Sequence, residues 1–194
     1  MAMAFTVKAE QRMIFWFQAT KRRRQAQARY VEIVAHARRP AFYQLGAVPD
    51  TLDGRFDMIS LVLALYLSAL EAAQQAAARD LAAVVEGLFF ADMDRGLREL
   101  GVGDLSVGKQ VKHMAEAFYG RRAAYRAALQ AGDEAAFNAA LARNIYRGTA
   151  VEPDAADWLQ TQAWALARRL QAAPAAVLLA GPLPLAGREG EAIS

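Results

Sequence analysis

The chain has no cysteine and only two histidines among its 194 residues. The first absence excludes disulfides, thiolate nucleophiles, cysteine-ligated zinc and iron–sulfur clusters together, and it leaves the redox compartment unread. The second leaves His36 and His113, far apart in the chain. Two such residues are too few for a multi-histidine metal site or for a haem held by two histidines of one helix. Long apolar runs are also missing. The longest, residues 58–70, is interrupted only by Ser60 and Ser68 and is bounded by Asp57 and Glu71. It falls short of the roughly 20 residues that a bilayer span requires and reads as the central helix of a soluble core. Residues 172–187 are apolar too, but Pro174, Gly181, Pro182 and Pro184 break them.

Catalytic motifs are scarce as well. There is no Gly-rich phosphate loop, no nucleophile elbow and no Ser, His and Asp set in a sensible context. Gly101-Val102-Gly103 has no strand before it and reads as a helix break. The pair Asp92 and Asp94 invites a metal, but a calcium loop needs a third oxygen ligand two residues on, where the chain has Gly96. A di-iron bundle needs two Glu-x-x-His pairs, and the chain offers only His113 and Glu116, once and in reverse order. On a helix Asp94 faces Arg98, and Arg95 faces Glu99, four residues apart, so this cluster reads as an ion-pair network. The expectation is a protein that is not an enzyme and holds no metal or cofactor.

What is present is helical. Apolar residues make up 55% and charged residues 22% of a chain sized for one domain. Alanine is abundant, β-branched residues are few, and apolar positions recur at three and four. The pattern predicts a single all-α domain of six to seven helices with a basic N-terminal helical extension. A first helix is expected over residues 18–38, stopped by Pro40, with a Pro- and Gly-bearing loop to Gly54. Further helices are expected over 55–74 and 79–100. The next is capped by Asp104 or Ser106 and carries Val111, Met114, Phe118, Tyr125 and Leu129 to residue 131 as a core stripe. Arg122 falls on that stripe and must either snorkel outward or find a carboxylate, with Asp92 and Asp94 as candidates. Gly132-Asp133 reads as a break and N-cap before a helix carrying Phe137, Leu141 and Ile145. A last helix starts near Pro153 with Trp158, Leu159, Trp164 and Leu166, and an irregular tail follows Gly181.

Charge is uneven. Residues 1–40 hold nine Lys or Arg against Glu10 and Glu32, which points to an anionic partner at that end. Phe15, Trp16 and Phe17 precede Lys21, Arg22, Arg23 and Arg24. Rings beside cations suit a membrane interface, and a solvated helix end whose aromatics pack on the domain is the alternative. Residues 1–24 are accordingly set apart from a helical domain at 25–181 and a tail at 182–194. Met13 is an alternative start, which would make residues 1–12 a leader. A basic terminus also suits a nucleic-acid-binding module, but a helix-turn-helix needs a turn of about three or four residues, and residues 40–54 are too long for one.

Several ordered strings carry a family resemblance: Ala37-Arg38-Arg39-Pro40-Ala41-Phe42-Tyr43, Val48-Pro49-Asp50-Thr51-Leu52-Asp53-Gly54-Arg55-Phe56-Asp57, Phe90-Ala91-Asp92-Met93-Asp94, Leu97-Arg98-Glu99-Leu100-Gly101-Val102-Gly103-Asp104, Phe118-Tyr119-Gly120-Arg121 and Arg143-Asn144-Ile145-Tyr146. Together, from about Tyr30 to Gly148, they resemble the ubiquinol-cytochrome c chaperone family. The resemblance implies an all-α protein that binds newly made cytochrome b until the bc complex assembles. Mitochondrial relatives act with a second small assembly factor and near the ribosome exit. The Ala- and Arg-rich composition looks bacterial, and for a bacterial chain the resemblance implies a cytoplasmic protein peripheral on the inner face of the cytoplasmic membrane. Aromatics and arginine dominate binding hot spots, so the candidate partner surface is Phe42, Tyr43, Arg55 and Phe56 around the loop, the Asp92, Asp94 and Arg98 cluster, and Arg121, Arg122, Tyr125, Arg143 and Asn144.

Overall fold

The computed structural model describes the backbone of residues 2–185 and the side chains of residues 19–185. Its helices, in chain order, are α1 (Ala2–Ala37), α2 (Pro40–Gln44), α3 (Leu52–Ala72), α4 (Ala76–Glu99), α5 (Asp104–Ala131), α6 (Glu134–Ile145), α7 (Pro153–Ala172) and α8 (Ala175–Ala180). Six are long and two are short, and there is no strand among the described residues. No helix there is long and apolar enough to cross a membrane.

The apolar run at residues 58–70 is the axis of this arrangement. Every residue from Phe56 to Leu70 is buried, on all sides of α3, and α1, α4, α5, α6, α7 and α8 pack around it. A helix with no solvated face needs partners on every side, which is why one short apolar run organises the whole chain. α3 starts one turn earlier than periodicity predicts, because the Thr51 hydroxyl accepts from the Gly54 amide at 3.1 Å and caps it. Gly54 is required there: a Cβ would sit 1.9 Å from the Pro49 carbonyl oxygen. The only hydroxyl between Tyr66 and the helix end, that of Ser68, bonds back to Ala64 at 2.8 Å.

α1 joins the expected N-terminal helical extension and the first helix, expected from residue 18, into one element that reaches back to Ala2. No proline or glycine precedes Pro40, so nothing in the sequence interrupts the helix. Its buried stripe is Ala26, Tyr30, Ile33 and Ala37, at helical spacing. Pro40 then opens the short α2, where its missing amide costs nothing. Gly103 holds the N-cap position of α5 without a side-chain bond, so the expected caps Asp104 and Ser106 do not act as caps. Asp104 pairs instead with Arg98 across the turn. Gly132 ends α5 at φ 65° and Asp133 caps α6, its carboxylate accepting from Ala136 at 2.8 Å.

Residues 182–185 form no regular element but are pinned. Tyr66 donates to the Leu178 carbonyl at 2.8 Å, Arg29 donates to the Gly181 carbonyl, and the Leu183 amide donates to Glu32 at 2.9 Å. Arg169 donates to the carbonyls of Pro184 and Leu185 at 3.3 and 3.2 Å. The C-terminal part of the described chain is thus a strap across α1 and α3, with Leu183 and Leu185 buried beneath it.

Candidate functional site

α5 changes character halfway. Its C-terminal half buries Phe118, Tyr125 and Ala128 in the core, while Val107 is the only fully buried residue in its first half and lies apart from the main core cluster. With that half standing off the bundle, an open cleft of about 770 Å³ remains between it, the first turns of α3 and the end of α4. Ser106, Lys109, Gln110, His113, Ala117 and Arg121 form one wall, all on one face of α5 by the three- and four-residue spacing. Leu52 and Phe56 of α3 and Leu97 of α4 form the apolar floor with Met114. Met114 therefore serves the cleft, although it shares a stripe with the core residue Phe118. A smaller hollow of about 220 Å³ shares Leu52, Phe56, Leu97 and Met114 and continues past Met93 and Leu100 to Arg55 and Arg95.

Exposed apolar side chains cluster by these hollows. Leu52 is 63% exposed and Leu100 61% exposed. Both line the hollows, and exposed apolar side chains beside a concave surface make a candidate binding surface.

A buried ion cluster builds the cleft's rear wall. The Asp57 carboxylate is 1% exposed and accepts from Arg121 at 2.8 Å and from both forks of Arg147 at 2.8 to 3.0 Å. Arg147, at φ 51° after α6, also reaches Asp53 at 2.8 Å. Arg121 lies over the Phe56 ring at 5.4 Å, a cation–π arrangement, and its Nη1 is buried without a hydrogen-bond partner. Burial pushes the Asp57 carboxyl above its ordinary value, against the opposing pull of Arg147 and Arg121. The cluster aligns α3, α5 and the end of α6, so Phe56 and Arg121 are held in place as cleft wall.

The predicted partner residues divide. Phe56 and Arg121 line the cleft; Arg55 and Asp92 line the smaller hollow, and Arg55 with Tyr43 lines a third, of about 420 Å³, beside Asp50 and Pro40. Asp94 and Arg98 form the expected exposed pair at 2.7 Å, at the end of α4. Arg95 meets Asp92, not Glu99, and Asp92 also accepts from Tyr30 at 2.8 Å. Phe42 is buried, edge-on to His36 at 5.3 Å and to Trp158 at 6.0 Å. Tyr125 is buried, accepts from Asn144 at 3.2 Å, and packs on Phe137. Arg143 is exposed. Arg122 does not meet Asp92 or Asp94. It bridges Glu71 of α3 and Glu86 of α4, the latter at 3.0 Å, and Glu86 accepts from Tyr119 at 2.5 Å. Periodicity placed Arg122 on an inward face without naming the carboxylates that meet it there.

At the basic end, Lys21, Arg23 and Arg24 are exposed, whereas Arg22 pairs with Asp80 of α4 at 3.1 Å. Phe15, Trp16 and Phe17 lie outside the described side chains. The sequence reading missed Asp53, Asp57, Leu97, Lys109 and Arg147. Asp57 had a usable signal, since a carboxylate at the start of an all-round buried helix must have a cationic partner.

Fold and cleft define an all-α domain that presents an open apolar groove between helices, backed by arginines. The family model of the ubiquinol-cytochrome c chaperones matches residues 44–185, and the chain belongs to that family. The match takes in α7, which the motif resemblance ending at Gly148 left out. The crystal structure of the Cbp3 homologue from Brucella abortus is similar at 35% identity and a TM-score of 0.80, over 92% of this chain and 97% of that one. No curated protein sequence matches.

Proposed function

We propose that the protein holds newly made cytochrome b during assembly of ubiquinol-cytochrome c reductase and carries out no catalytic step of its own. The observation that carries this reading is that the family match spans all the walls of the open cleft, from Leu52 to Arg147. A hydrophobic client segment released before its partners are in place needs a reversible apolar surface, and the floor of Leu52, Phe56, Leu97 and Met114 provides one. Charged residues at the edge keep that surface from closing on a second copy indiscriminately.

The protein works in this reading at the inner face of the cytoplasmic membrane. The exposed Lys21, Arg23 and Arg24 offer about 1 kcal/mol each toward anionic lipid near the surface, and residues 1–24 serve as the interfacial segment. A second small assembly factor or the ribosome is a further candidate partner.

Deleting the gene and measuring spectral cytochrome b and assembled complex in membranes tests the assignment. Both are expected to fall, and normal levels of both would remove the chaperone role. Replacing residues 21–24 by glutamine is expected to release the protein from membranes. Unchanged association would remove the lipid contact.

A further inference from the structure

We propose that the cleft between α3 and the first half of α5 selects acidic amphipathic helical segments, whose aliphatic face lies on Leu52, Phe56, Leu97 and Met114 and whose carboxylate is received by Lys109. The client's identity rests on the chaperone reading above; the chemistry of the segment does not.

The shape comes first. The wall from Ser106 to Arg121 is one straight helix face, about 22 Å long at 1.5 Å per residue. A segment of about 15 residues matches that length when helical, whereas a strand of the same residue count would reach roughly 50 Å. The floor is aliphatic and aromatic, the surface onto which an amphipathic helix lays its apolar stripe.

The charge then selects among such helices. Lys109, Arg121 and Arg147 face the cleft against Asp53 and, behind the wall, Asp57. Arg147 is occupied by both carboxylates. Arg121 gives one amino group to Asp57 and leaves Nη1 unbonded, and Lys109 has no partner among the described residues. The cleft therefore carries one more cation than it has carboxylates, and the surplus cation is Lys109. An incoming carboxylate supplies the missing charge and gives the Lys109 ammonium a charge-assisted hydrogen bond beside the apolar floor. The recess counts against a flat lipid surface or a phosphate backbone, because the cations sit beside an apolar floor that neither would cover.

The test uses the full chain and two labelled, capped 15-residue peptides with leucines at i, i+3, i+4 and i+7. One carries glutamates flanking the leucine stripe and the other glutamines at the same places. Fluorescence anisotropy is expected to show the glutamate peptide bound at least about tenfold more tightly, with the advantage shrinking as salt rises. Lys109→Gln should abolish that preference, Lys109→Glu should reverse it toward a lysine-bearing peptide, and Leu52→Asp should weaken both peptides. Lys109 and Leu52 are exposed, so thermal melts are expected to stay unchanged in these variants. Equal binding of the two peptides overturns the proposal, as does binding that survives Leu52→Asp. Displacement of the peptide by phosphatidylglycerol vesicles or single-stranded DNA, lost in Lys109→Gln, also overturns it. An array of cytochrome b peptides separates the two claims. If acidic amphipathic peptides bind but none from cytochrome b does, the selectivity stands and the choice of client falls.

Discussion

Changing Asp57 to asparagine keeps the shape of the side chain and removes only its charge. The carboxylate is 1% exposed and faces two guanidinium groups, so the variant leaves Arg121, itself 12% exposed, as a buried cation without a counter-charge. Stranding a charge in this way typically costs about 3 to 5 kcal/mol. Two features reduce the figure. Arg147 is 44% exposed and keeps Asp53, so it turns toward water at little cost, and Arg121 keeps the Phe56 ring, worth about 1 kcal/mol. The expected loss is about 3 kcal/mol, or a fall in melting temperature of about 6 to 12 °C for a domain of this size. Urea unfolding followed by helical circular dichroism measures it. Burial raises the Asp57 carboxyl, so the ionised cluster carries its own desolvation cost, and Asp57→Leu combined with Arg121→Met should recover most of the loss. A loss below about 1 kcal/mol in Asp57→Asn, or a double variant as unstable as the single, would refute the view of this cluster as a mutually dependent buried set.

His36 is buried and held neutral, its pKa lowered to about 4 by burial and by the nearby Arg39 and Arg169. A base with a folded value below its unfolded 6.5 stabilises the fold above about pH 6.5 and loses that contribution as pH falls toward 4, about 3 kcal/mol at most. His36→Phe should flatten this acid limb in denaturant titrations between those pH values. Arg122→Met should cost about 2 kcal/mol, and a double-mutant cycle should show coupling with Glu86 and none with Asp92, since only the former is in contact. Gly54→Ala should destabilise by more than about 3 kcal/mol, because its methyl would meet the Pro49 carbonyl oxygen at 1.9 Å; Thr51→Ala, which loses only the cap, should cost about 1 kcal/mol by the same unfolding assay.

Local signals were read well from the chain. The run ending at Leu70, the break and cap at Gly132 and Asp133, and the start at Pro153 depend on neighbours in sequence, and the helices follow them. The Asp94 and Arg98 pair, four residues apart on one helix, was legible for the same reason. Arg122 shows where that reasoning stops, because Glu71 and Glu86 come from other helices and periodicity specifies a face without specifying what covers it. The cleft was half legible. Phe56 and Arg121 were singled out, but a groove exists only where a helix fails to pack, and the stripe from Val111 to Leu129 gave no sign that α5 leaves the core before Phe118.

The strap over α1 and α3 bears on the order in which the chain acquires its structure. During synthesis α3, the helix buried on all sides, emerges about a hundred residues before the α8 carbonyl that Tyr66 bonds. Until that segment arrives, the helix has a bare flank and behaves as a client in need of cover itself. The chaperone thus passes through the same exposed condition that its proposed substrate presents, and α8, the last helix among the described residues, ends that exposure.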